Sequence, residues 1–212
     1  MMPRSLILAL VAWLTCTSGA YAITLAELAG KRSLTLGPLV LSNFRVAESV
    51  GLGPEAIDVD PEAFLNEAGT PLFGVRFSSR IVLGSDLDGP KDVAYDLGFD
   101  VTLTDPDFVL AGMTHATVGN AEGSGTMTNV TIALPPDLTE ITDATPFTPQ
   151  RSALAGRPVS EFPWTSDVSE LFARTSRVHV EQGVRMVVGN RSDPGWARLD
   201  HFDVLFWLAP SR

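Results

Sequence analysis

"FDVTLTDPDFVLAGMTHATVG", residues 99–119, carries two alternating runs on either side of an Asp-Pro-Asp step. Val101 and Leu103 alternate with Thr102 and Thr104 before the step, and Phe108 and Leu110 open a second run after it. Alternation with a period of two is the signature of a half-buried strand. Proline suits the second position of a type I turn and aspartate the first. Asp105 and Asp107 therefore read as the corner of a hairpin-like connection. A catalytic pair would need two carboxylates opposed across a cleft, whereas neighbours in a turn face water.

The same pattern continues in both directions. Strands are expected at 39–46, 72–83, 93–104, 108–118, 126–134, 178–181, 184–188 and 197–208. Gly/Pro clusters at 51–54, 84–90, 119–125, 135–136 and 189–195 separate most of them, and Gln182-Gly183 reads as a tight hairpin. Thr24-Leu25-Ala26-Glu27 fits a capping box and Gly30 a stop, which predicts one helix of about two turns. Residues 139–166, rich in Pro, Thr and Ala, read as a long crossing loop. The expected fold is all-β, an antiparallel β-sandwich with jelly-roll or Greek-key-like connections and one short N-terminal helix.

Residues 1–22 read as a signal peptide: Arg4, an apolar run from Leu6 to Leu14, and Ala20-Tyr21-Ala22 as a small-x-small cleavage site. A single domain, 23–212, should follow it. Cys16, the only cysteine, falls inside that leader, so the exported chain has none for disulfides, thiolate chemistry or metal ligation. No later apolar run approaches the roughly 20 residues of a spanning helix, so no membrane anchor is expected in the mature chain.

Charge excludes another class. Removing Arg4 leaves 14 basic residues against 25 acidic ones, a balance of −11. Residues 48–107 hold 13 of the acids and only Arg76, Arg80 and Lys91, or −10. A nucleic-acid partner needs a basic surface and is disfavoured. "GSDLDGPKDVAYD", 84–96, contains part of a calcium loop, and Asp86, Asp88 and Asp92 are its candidate ligands. The glutamate of an EF-hand is missing: position twelve, counted from Asp86, is Leu97. No other cofactor is expected. In "IDVDPE", Asp58, Asp60 and Glu62 share one strand face, which reads as a solvent-facing edge.

No G-x-S-x-G occurs, and His115, His179 and His201 lie on separate strands without zinc spacing, so no catalytic residue is assigned. Trp164 and Trp196 lie in Pro/Gly surroundings and are the candidates for stacking on sugar rings. Asn129-Val130-Thr131 and Asn190-Arg191-Ser192 are formal glycosylation sequons.

Several pieces together resemble exported bacterial proteins of the PEP-CTERM class. Thr24 to Val46 is similar to their opening helix and "FSNF"-like strand, here Leu41-Ser42-Asn43-Phe44. Asp105-Pro106-Asp107-Phe108-Val109-Leu110 matches their "DP.F.I" turn, Gly119 to Val130 their Gly-rich hairpin, and Val178 to Val188 with Leu199 to Phe206 their closing strands. The Val-Pro-Glu-Pro-like sorting motif that names the class does not occur, so release or periplasmic residence is expected in place of surface sorting. The resemblance implies a non-catalytic β-sandwich associated with extracellular matrix or polysaccharide and brings no catalytic residues. A carbohydrate-binding module and an unrecognised hydrolase are the alternatives.

Overall fold

The computed structural model describes residues 23–30, 32–65, 70–87, 91–134, 150–155, 164–189, 192 and 194–211; the side chains of 48, 49, 64, 80, 128, 130, 132, 150–155 and 164–174 lie outside that description. Two six-stranded sheets face each other. Strand β1 (Ile23–Thr24) leads into helix α1 (Leu25–Ala29), and β2 (Leu34–Leu36), β3 (Leu39–Val50), β4 (Asp58–Leu65), β5 (Pro71–Gly84) and β6 (Asp92–Leu103) follow. Then come β7 (Phe108–Gly123), β8 (Thr126–Leu134), β9 (Gln150–Ala155), β10 (Trp164–Thr175), β11 (Arg177–Val187) and β12 (Gly195–Pro210).

The first sheet runs β1-β4-β5-β12-β7-β10 and the second β2-β3-β6-β11-β8-β9, antiparallel at every pairing. Only β2–β3, β4–β5 and β8–β9 are sequential neighbours within one sheet; every other connection carries the chain to the opposite sheet. This is the antiparallel sandwich that the alternation predicts.

Inward residues make one core. Phe44 stacks on Phe99 at 5.3 Å, Phe99 meets Phe77 at 5.9 Å, and Phe77 stacks on Phe202 at 4.9 Å, which ties β3 and β6 of one sheet to β5 and β12 of the other. Helix α1 closes one end with buried Leu25 and Leu28. Its capping box is complete: Thr24 Oγ1 accepts from Glu27 N, and the Glu27 carboxylate accepts from Thr24 N.

The Asp-Pro-Asp step is a turn. Asp105 Oδ1 accepts from Asp107 N at 2.9 Å and Asp105 O from Phe108 N at 3.4 Å. It joins β6 to β7, which lie in different sheets, so it is a corner between sheets and not a hairpin. A second expectation is corrected at Gln182-Gly183, where β11 runs straight through. Gln182 is buried and bonds inward to Asn129 and Thr131, and Gly183 pairs with Asp96 on one side and Val130 on the other. The crossing loop expected at 139–166 contains β9 and the start of β10; its remaining residues, 139–149 and 156–163, fall outside the described part.

Candidate functional site

Alternation leaves each sheet an outer face, and both faces gather charge. On the second sheet, Asp100 of β6 and His179 of β11 are register partners, and His179 Nδ1 lies 2.7 Å from Asp100 Oδ1. Its Nε2 lies 2.7 Å from Glu181 Oε1. Arg45 of β3 pairs with the same Glu181 by passing over Gly98, where a Cβ would stand 2.7 Å from its Nε. Asn43, with φ of 55° at an irregularity in β3, donates to Asp100 Oδ2 at 2.6 Å.

Burial alone would raise the Asp100 carboxyl; hydrogen bonds from Asn43 and His179, with the charges of His179 and Arg177, outweigh it and hold it below the usual carboxylate range. Both imidazole nitrogens of His179 are occupied by carboxylates, and no hydroxyl nucleophile bonds to either among the described residues. The arrangement braces β3, β6 and β11.

The first sheet's outer face is open. Asp60, Arg76, Ser78, Val82, Arg198, Asp200 and His201 line a groove of about 510 Å³. They come from β4, β5 and β12, three neighbouring strands; alternation turns most of these positions outward, and the irregularity in β12 between Leu199 and His201 lets the adjacent Asp200 and His201 both face the groove. Register sets the floor: Asp60 lies opposite Arg76 and Arg76 opposite Asp203, while Asp58 lies opposite Ser78 and Ser78 opposite His201. Arg76 forks onto Asp203 at 2.8 and 3.2 Å and reaches Glu62 at 3.3 Å. Arg198 binds Asp200 through Nε at 2.8 Å and Nη2 at 2.6 Å.

Burial pushes the Glu62 carboxyl up; Arg76 opposes that shift, and the charges of Asp203 and Asp60 add to it. Burial also holds His201 below its ordinary value, and the Arg76 charge adds to the effect; Asp203 and Asp200 oppose it.

Apolar side chains follow at one end of the groove. Val82 is 51% exposed and Leu87 50% exposed. Leu87 folds over Gly84, the register partner of Trp196, and the half-buried Trp196 indole is held in place by its N–H donating to Glu122 at 2.8 Å. Polar donors and acceptors beside an apolar rim suit a ligand whose rings carry hydroxyls at their edges and C–H groups on their faces.

Of the two tryptophans expected in loops, both begin strands. Trp196 is the second residue of β12, two residues before the groove-lining Arg198. Trp164 is the first residue of β10, opposite Val118, which is opposite His201, so its backbone shares the cross-sheet row of Ser78 and His201; its side chain is outside the described part.

Two of the three calcium candidates lie among the described residues. Asp86 is exposed, Asp92 pairs with Arg185 at 3.0 Å, and Asp88 lies outside the described residues. Lys91 donates from Nζ to the carbonyls of Gly84, at 2.6 Å, and Leu87. Among the described residues no group of three or more His, Cys, Asp or Glu side chains is arranged to hold a metal. The sequon asparagine Asn129 is wholly buried, donates to Thr117 Oγ1 at 3.1 Å and is closed to glycosylation in the folded chain; Asn190 is outside the described residues.

Sequence reasoning missed Arg76, Arg198, Asp200, His201 and Asp203 as a group. A signal was present in "WARLDHFD", 196–203, whose outward positions are aromatic or charged, and in Asp58, Asp60 and Glu62, which alternation had placed on one face.

No protein-family model matches the chain, and no curated protein is similar to it. Solved structures do align with it. TmCBM61 in complex with β-1,4-galactotriose aligns at 14% identity and a TM-score of 0.34, over 80% of this chain and 90% of that one. A carbohydrate-binding module of the β-sandwich superfamily, described for promiscuous specificity, aligns at 12% and 0.31, over 79% and 58%. The family 11 carbohydrate-binding module from Clostridium thermocellum, bound to a β-1,3-1,4-mixed-linked tetrasaccharide, aligns at 9% and 0.23, over 82% and 94%. At TM-scores this low the likenesses carry no argument about what this chain binds. The fold itself, two antiparallel sheets packed face to face, stands on its own pairings and core.

Proposed function

We propose that this protein is a secreted or periplasmic, non-catalytic β-sandwich that binds a polysaccharide along the outer face of its first sheet. The observation that supports the reading is the groove: hydrogen-bonding side chains from three strands in a row with Val82 among them, and Leu87 and Trp196 next along the same strands. Export follows from the leader-like first 22 residues. No helix among the described residues is long and apolar enough to cross a membrane.

From Arg198 to His201 the groove follows about 10 Å of strand at the usual rise per residue, long enough for about two sugar units of an extended chain. Arg198 and Asp200 offer the donor and acceptor pair that fixes hydroxyls, and Trp196 offers a flat apolar face held from behind by Glu122.

Affinity electrophoresis and calorimetry against soluble polysaccharides test this. Trp196→Ala and Arg198→Ala should each weaken binding by about tenfold, the loss expected of one stacking or one charged contact. Arg45→Ala, on the opposite sheet and half exposed, should leave it unchanged. Equal affinity in all three variants, or a fall in polysaccharide chain length during incubation, would contradict the reading.

A further inference from the structure

We propose that the groove selects an amine-bearing polysaccharide and rejects a uronate-bearing one, an inference that rests on the function proposed above and concerns only the charge of the ligand. Among the described side chains, the groove and its floor hold Asp58, Asp60, Glu62, Asp200 and Asp203 against Arg76 and Arg198, an excess of three negative charges; the side chain of Arg80, between Ser78 and Val82, lies outside that description.

Both guanidinium groups already face carboxylates of the chain itself. The Arg76 fork is spent on Asp203, which is 5% exposed, and its other arm on Glu62. Arg198 grips Asp200 through two nitrogens. A ligand carboxylate would have to displace one of these partners and would approach an acidic surface.

An ammonium meets the opposite situation. Asp60 lines the groove and accepts no side-chain hydrogen bond among the described residues, although it stands opposite Arg76 in register. Glu62 is held above its ordinary value by burial, and Asp203 and Asp60 add to the shift despite Arg76. Those carboxylates repel one another, and a cation placed among them relieves the repulsion. His201 adds no compensating charge near pH 7, because burial and Arg76 hold it below its ordinary value. The apolar rim is indifferent to ligand charge, so it favours neither class.

The test is a glycan array carrying neutral, amine-bearing and uronate-bearing polysaccharides in several linkages, with calorimetry on the glycans that bind. Amine-bearing chains should bind on the order of tenfold tighter than neutral chains of the same linkage at about 20 mM salt, and uronate-bearing chains weaker than neutral ones. The preference should shrink at about 300 mM salt, where the screening length is only about 6 Å. Asp60→Asn with Glu62→Gln should abolish most of it. Asp105→Asn with Asp107→Asn removes the same formal charge from the turn between sheets and should preserve it.

Equal affinity for neutral and amine-bearing chains, tighter uronate binding, or a preference lost equally in both double variants would overturn the inference and leave polysaccharide binding intact. Binding of no glycan in any class would overturn both.

Discussion

His115 makes the core acid-sensitive, by an amount its surroundings determine. The side chain is wholly buried between the sheets. Its Nε2 lies 3.1 Å from Thr117 Oγ1 and its ring stands edge-on to Phe202 at 6.3 Å; among the described residues Nδ1 has no hydrogen-bond partner. Thr117 accepts from Asn129, which bonds Gln182, which bonds Thr131, so a buried polar chain crosses from one sheet to the other. Burial lowers the imidazole from 6.5 to about 4.

The unfolded chain therefore binds a proton that the folded chain refuses between pH 6.5 and about 4, and stability falls as pH drops through that window. The shift corresponds to about 3 kcal/mol in full, and about 2.5 kcal/mol of it is lost by pH 4.5. Asp100, held below its ordinary value, loses its contribution only below about pH 4 and does not interfere. Glu62, held above its ordinary value, contributes with the opposite sign. His201 acts in the same direction as His115, so the assay needs a variant of each.

Urea unfolding from pH 8 to pH 4.5 should show the loss in the parent and in His201→Gln. It should be largely absent in His115→Gln, measured against that variant's own stability at pH 8. Asp167 occupies the register position opposite His115 on β10. A carboxylate pairing there would stabilise the imidazolium, and stability that stays flat or rises from pH 6.5 to 4.5 would refute the assignment of His115 as a neutral core group.

Four further outcomes are expected. Gly74→Ala should cost more than about 3 kcal/mol in chemical unfolding, because its Cβ would lie 2.8 Å from Leu205 Cα and closer still to the Val204 carbonyl, whereas Gly183→Ala should change stability by less than about 1 kcal/mol, because only the Asp96 carboxylate, at 3.0 Å, must give way. Arg76→Met should cost about 3–5 kcal/mol by leaving the buried Asp203 unpaired, and Asp203→Asn in the same chain should recover part of it. Asp107→Ala should be neutral within about 0.5 kcal/mol and Asp105→Ala should cost up to about 1 kcal/mol through its bond to Asp107 N, both by thermal unfolding. With Lys91 already on the Gly84 and Leu87 carbonyls, melting in about 10 mM calcium should match that in equal magnesium within about 1 °C; a calcium-specific rise lost in Asp86→Asn would place the ion at that loop.

Strands announced themselves where one face is buried and the other is polar. Thr126 to Leu134 begins and ends where its alternation does, and so, within a residue, does the strand after Lys91. Gln182-Gly183 misled because turn chemistry is judged locally, while Gln182 finds its partners 51 and 53 residues away in the core. Asp105-Pro106-Asp107 was legible as a turn, but which sheet each flanking strand joins depends on pairings that no local pattern encodes. The groove was half legible. Alternation put Asp58, Asp60 and Glu62 on one face, yet their meeting with Arg76 and Asp203 requires β12, about 140 residues later, to lie beside β5. Trp196 was singled out for its ring and flanking turn residues; Val82 and Leu87, which supply the rest of the rim, look like ordinary strand and loop residues in the sequence.

The most direct test of the polysaccharide-binding account is a ¹H–¹⁵N spectrum of residues 23–212 titrated with whichever soluble glycan binds. The account predicts that the Trp196 indole N–H, now donated to Glu122, and the amides of Arg198, Asp200 and His201 shift together and saturate at one affinity, while His179, Glu181 and Gly98 on the opposite sheet stay in place. Shifts confined to the His179 face, or saturable binding that leaves Trp196 and Arg198 unmoved, would contradict it.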